Sequence, residues 1–127
     1  MTSHPLVRKY FFTGSLLLGI AVLIGAFGAH GLKSLVTPEK LITFETGVRY
    51  HFYHAFGILL LSFAKPLFPN LKTEFTFNAF LVGILLFSFN CYFYVISGMK
   101  FFAMIVPVGG SLMAVGWLVL AYRSLKA

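Results

Sequence analysis

Residues 10–31 read YFFTGSLLLGIAVLIGAFGAHG, with no Asp, Glu, Lys or Arg among them. A helix needs about 20 mostly apolar residues to cross the hydrocarbon of a bilayer, and this stretch meets that length by itself. Three further stretches follow, at 48–64, 75–97 and 101–122. None has a polar face broad enough for a soluble surface, and helices hydrophobic all round are buried in protein or in lipid. Hydrophobic residues make up 59% of the chain and charged residues 10%, which leaves too little polar sequence to enclose four such helices in protein. The expectation is an all-α, polytopic membrane protein: a four-transmembrane-helix bundle occupying residues 1–127 as one domain, with only tails and short connections outside the membrane.

The net charge of +7 does not point to nucleic acid, because the basic residues stand singly or in pairs at the ends of apolar runs and form no stripe or patch. They suit contact with lipid headgroups. Four crossings put Arg8, Lys9, Lys65, Lys72, Arg123 and Lys126 on one side and Lys33, Lys40, Arg49 and Lys100 on the other. The positive side faces the cytoplasm, so both termini are expected there, in a bacterial inner membrane. Arg8-Lys9 before an apolar stretch that ends in small residues has the look of a signal peptide; the reading here is a retained first helix. Cys91 is the sole cysteine, which excludes an intrachain disulfide and a cysteine zinc site and leaves a small apolar packing residue.

Along the chain, Ala21, Gly25 and Ala29 recur every four residues near Gly28 and predict a close helix contact. Thr37-Pro38-Glu39 predicts a helix start, with a hydroxyl cap, proline in the first turn and an acid at the positive end of the dipole. That helix is expected to run through Gly47 into the second crossing. Pro66 and Pro69 end it. Asn78 and Asn90 in the third crossing are candidates for hydrogen bonds between helices. Gly98-Met99-Lys100 is only a turn, so the last two helices are antiparallel neighbours. Pro107-Val108-Gly109-Gly110 predicts a kink and, with Ala114 and Gly116, a second close contact. Trp117 and Tyr122 are placed at the cytoplasmic interface.

One set of residues has the chemistry of a site: His30, Glu45, Arg49, Tyr50, His51 and His54, all expected near the outer face. Glu45 and Arg49 are four apart and within pairing reach along a helix. His51 and His54 lie on another side of it. One reading is structural, since polar groups at membrane depth pair with one another or with backbone. The other is a haem or transition-metal site using His30, His51 and His54, because imidazole suits such metals; the leading reading has no cofactor. The three acids, Glu39, Glu45 and Glu74, lie outside or at the edge of the crossings, where a proton-coupled carrier would hold one deep inside. No hydrolase motif or phosphate loop is present in the sequence.

Four segments, in order, carry a family resemblance: Gly25-Ala26-Phe27-Gly28-Ala29-His30; Thr46-Gly47 followed by Tyr50 and His54; Leu86-Phe87-Ser88; and Pro107-Val108-Gly109-Gly110 with Gly116-Trp117. Together they resemble the small four-helix bacterial inner-membrane proteins of the YgdD/YwdK type, a domain of unknown function with a mitochondrial relative. The resemblance covers essentially the whole chain. It implies four crossings and an inner-membrane location, and it supplies no activity. One departure is Phe89, where the family often has a small residue after the serine. The expected function is that of a non-catalytic accessory or stabilising subunit of a larger membrane complex, with lipids and membrane proteins, or further copies of itself, as partners. The alternatives are the metal or haem protein above and a small transporter or channel.

Overall fold

The computed structural model describes residues 4–127. Five α-helices follow one another: α1 Pro5–His30, α2 Pro38–Leu67, α3 Glu74–Ile84, α4 Asn90–Ser97 and α5 Lys100–Ser124. A short 3-10 turn, Leu32–Ser34, follows α1. Leu85–Phe89 forms a π-helical turn that joins α3 to α4. Among the described residues, three helical stretches are long and apolar enough to cross a membrane: Pro5–Ser34, Glu74–Ser97 and Lys100–Ser124. The longest helix, α2, is not one of them, because polar residues interrupt its apolar sequence.

The helix ends follow from local chemistry. His4 Nδ1 accepts from the Leu6 amide at 3.1 Å, with Pro5 beginning the helix. Thr37 Oγ1 accepts from the Lys40 amide at 3.3 Å in front of Pro38. At the far end of α2, Pro66 falls inside the last turn rather than beyond it. Lys65 Nζ then donates to the carbonyls of Pro69 (3.3 Å) and Leu71 (2.7 Å) and so ties down the connection to α3. Gly98, at φ 73°, takes the left-handed conformation that lets the chain reverse between α4 and α5.

Helices α1 and α2 are antiparallel over their full length. Phe11 meets Phe63 near one end, Gly14 meets the backbone of Ala55 and Leu59, and Gly28 lies under the ring of Phe44 at the other. The residues of α1 that are buried are Tyr10, Gly14, Leu17, Ala21 and Gly28. This corrects the expected contact face. Gly25 lies at its edge and Ala29 is exposed, because a strict four-residue spacing drifts about 40° per step, whereas alternating spacings of four and three stay against one partner.

The unit formed by α3, the π turn and α4 is the most enclosed part of the molecule. Helix α5 packs antiparallel on it, unbroken through Pro107. Gly83 fits against Met113, Gly116 against Ala79 and Phe80, and Gly109 directly against the backbone of Leu86 and Phe87. The close approach in this pair therefore occurs where Gly109 of α5 meets Leu86 and Phe87 of the π turn, before Phe89. Ala114 and Pro107, expected at the contact, are exposed.

Candidate functional site

The inward-facing residues of α2 are Phe44, Gly47, His51, His54, Ile58 and Leu61, spaced alternately three and four apart. Its outward residues include Ile42, Tyr53, Phe56, Leu60 and Phe63, all exposed. The helix thus buries its imidazoles beside Phe44, Ile58 and Leu61 and still carries large apolar side chains on its outward face, unlike a helix on the surface of a soluble protein.

The structure divides the expected six-residue set among separate places. His51 is fully buried, and its Nδ1 lies 2.9 Å from the Tyr92 hydroxyl of α4. Gly47, one turn earlier, makes the room for this crossing: a Cβ there would collide with Cys91 and Tyr92. His54 uses both ring nitrogens. Its Nδ1–H donates to the Tyr50 carbonyl at 2.8 Å, and its Nε2 accepts from Trp117 Nε1–H of α5 at 3.1 Å. These two bonds define a neutral ring with its proton on Nδ1. Phe80 packs edge-on against His54 and 4.5 Å, centroid to centroid, from Trp117. Tyr50 lies at the surface, with its ring stacked 4.6 Å from Phe87.

His30 is exposed at the end of α1. Among the described residues, no three His, Cys, Asp or Glu side chains come together in a way that would hold a metal. His30, His51 and His54 do not converge, and the Nε2 lone pair a metal would take from His54 is already engaged by Trp117. Glu45 and Arg49 do not form the expected ion pair either. The guanidinium donates instead to Thr46 Oγ1 at 3.1 Å, one turn back on its own helix. Both charged residues line an open groove of about 250 Å³ between α1 and α2.

Sequence reasoning missed several interior polar contacts. Tyr10 and Thr73 share a buried hydrogen bond of 2.8 Å between hydroxyls 63 residues apart. Thr76 Oγ1 donates to the Gly116 carbonyl at 3.1 Å and links α3 to α5. Trp117, expected as an interfacial anchor, directs its N–H into the bundle. Asn78 is exposed, and Asn90 donates within its own chain segment, to Leu85 O (3.2 Å) and Leu86 O (3.0 Å), carbonyls of the π turn. The one signal available beforehand was the presence of hydroxyl and imidazole groups inside apolar runs, since such groups need partners in hydrocarbon. Two buried polar atoms have no partner among the described residues: His51 Nε2 and Ser88 Oγ, the latter within the π turn.

Apolar helices with an inward polar seam define a polytopic helical membrane protein. Residues 24–110 match the family model described as "Protein of unknown function (DUF423)", and the chain belongs to that family. It is similar to a UPF0382 membrane protein of Haemophilus influenzae, 33% identical over 94% of this chain and 96% of the relative. It is also similar to the UPF0382 membrane protein YwdK of Bacillus subtilis (29%, covering 94% and 98%) and to one from Staphylococcus epidermidis (30%, covering 94% and 98%). No solved structure matches the chain.

Proposed function

We propose that this chain crosses the bacterial inner membrane four times, with both ends in the cytoplasm, and acts as a non-catalytic accessory or stabilising subunit of a larger membrane assembly. The observation that carries the reading is the set of hydrogen bonds inside the bundle. His54 to Trp117 and Thr76 to Gly116 join different helices, and Tyr10 to Thr73 joins α1 to the residue that precedes α3, so these polar groups serve to hold helices together. Support for the fourth crossing comes from α2. Its 30 residues span about 45 Å, against a hydrocarbon thickness of about 30 Å. It lies antiparallel to α1 throughout and presents apolar side chains outward. The excess of basic residues on the side of the tails and the middle connection supports the orientation.

Reporter fusions at each end test the crossing number. Both ends reporting the cytoplasm is the expected result; ends on opposite sides would remove the fourth crossing. The accessory role is tested by extraction from native membranes in mild detergent. A stoichiometric membrane partner is expected, and a monomer that copurifies with nothing would overturn it. A second reading, a small transporter, is favoured by two buried polar groups, Ser88 Oγ, which has no partner among the described residues, and His51 Nε2, which has at most the Leu17 backbone beside it. Ion flux in liposomes that disappears on His51→Leu would support it.

A further inference from the structure

The groove between α1 and α2 has walls of two kinds. Gly25 and Ala29 form one; Glu45, Val48 and Arg49 form the other. Gly25 leaves the floor open, since an added Cβ would meet only Val48 Cγ1, at 3.5 Å. Glu45 and Arg49 are both exposed and one helical turn apart, about 6 Å along the axis. The guanidinium has five N–H donors, and among the described residues its one hydrogen bond goes through Nη2 to Thr46. Glu45 accepts no hydrogen bond and makes no ion pair among the described residues. The groove lies where α1 ends and α2 begins, next to the connection that carries Lys33 and the first turn of α2 with Lys40, and toward the bundle centre the same faces continue into exposed Val22 and Phe56. Ionisable groups at membrane depth take partners, and with α2 in the bilayer beside α1, as proposed above, a negative and a positive group open together from this groove.

We infer that this groove binds the headgroup of a zwitterionic phospholipid bearing a primary ammonium, a phosphatidylethanolamine, with Arg49 on the phosphodiester and Glu45 on the ammonium. The two charges of that headgroup are separated by a two-carbon spacer and are opposite in sign to those of the groove. Phosphatidylcholine has a quaternary nitrogen with no N–H to donate to Glu45. Phosphatidylglycerol has no cation. The choice of headgroup therefore rests on Glu45, and the holding of any phospholipid on Arg49. The inference rests on α2 lying in the bilayer beside α1 and is independent of any protein partner.

The test is native mass spectrometry of the full chain released from nanodiscs containing equal parts of phosphatidylethanolamine, phosphatidylcholine and phosphatidylglycerol with identical acyl chains. The natural chain is expected to retain phosphatidylethanolamine about tenfold over either other lipid, the ratio one charge-assisted hydrogen bond supplies. Glu45→Gln should remove the preference over phosphatidylcholine, and Arg49→Gln should lower retention of all three. Gly25→Leu should abolish retention with both charges in place. Equal retention of the three lipids, phosphatidylglycerol retained above phosphatidylethanolamine, or an unchanged preference in Glu45→Gln overturns the inference. Glu45 is exposed, so its substitution decides the matter if Gly25→Leu fails to assemble. Chain ends found on opposite sides of the membrane would remove the four-crossing reading, whereas lipid retention without preference would remove only this one.

Discussion

Helices α2 and α5 flank the same central unit and are fixed to it by different means. Helix α5 is held by glycine. Gly109 brings its backbone onto Leu86 and Phe87, and Gly83 and Gly116 continue the contact toward the C-terminal end of α5. Helix α2 adds polar pairs to its close contact at Gly47: His51 bonds to Tyr92 of the central unit, and His54 bonds to Trp117 of α5 itself. Burial of apolar surface does not distinguish helix from lipid as a neighbour, so association in a membrane relies on close backbone packing or on hydrogen bonds between helices. Backbone approach is closest at α5 and side-chain pairs are added at α2, and the two kinds of contact should fail differently.

The largest effect is expected at the glycine contact. Gly109→Ala places a methyl group against backbone that has no flexible end to move, and overpacking of this kind costs about 3 kcal/mol. Unfolding in detergent by titration with SDS measures it, and a loss near zero would mean that α5 is not seated where Gly109 places it. At the polar seam the expected losses are smaller. Tyr92→Phe leaves His51 Nδ1 without its partner and should cost about 1 kcal/mol, with much of that recovered in the double variant His51→Leu/Tyr92→Phe. Additive single losses would show that the two groups do not interact. Trp117→Phe keeps the aromatic packing and removes only the donor to His54, for about 0.6 kcal/mol. Trp117 is the single tryptophan of the chain, so its fluorescence reports the same bond: His54→Leu should shift the emission, and an unchanged spectrum would count against the contact. The smallest effect belongs to Ala114→Leu. This residue is exposed, and the change should lie within about 0.5 kcal/mol; a large loss would mean that this face of α5 is covered by protein.

The contrast also explains what could be read in advance. Glycines 28, 109 and 116 stand out in the sequence and do lie at contacts, because a missing side chain has the same consequence whichever helix comes near. Gly25, Ala29 and Ala114 stand out equally and sit at the edge or outside, because four-residue spacing cannot follow a partner for more than a turn or two. Gly14, which meets the backbone of α2 at Ala55 and Leu59, was passed over because it lies in a Leu-rich stretch with no small neighbours at matching intervals. The site fared less well. The expected residues of α2 are polar groups on neighbouring turns, but they form no single cluster. Successive positions on a helix point about 100° apart, so Glu45 and Arg49 face the open groove beside α1 while His51 and His54 face the interior.

Helical class and membrane setting followed from the chain alone, since the length and continuity of apolar runs are properties of sequence and the bilayer accepts only backbones whose hydrogen bonds close within the segment. Membership of the family was equally legible, in ordered short motifs. The partner of each polar side chain was decided only in three dimensions. His54 meets a tryptophan 63 residues away and His51 a tyrosine 41 residues away. Such meetings depend on the rotation and axial register of packed helices, and the π turn at Leu85–Phe89 resets both partway along the central unit.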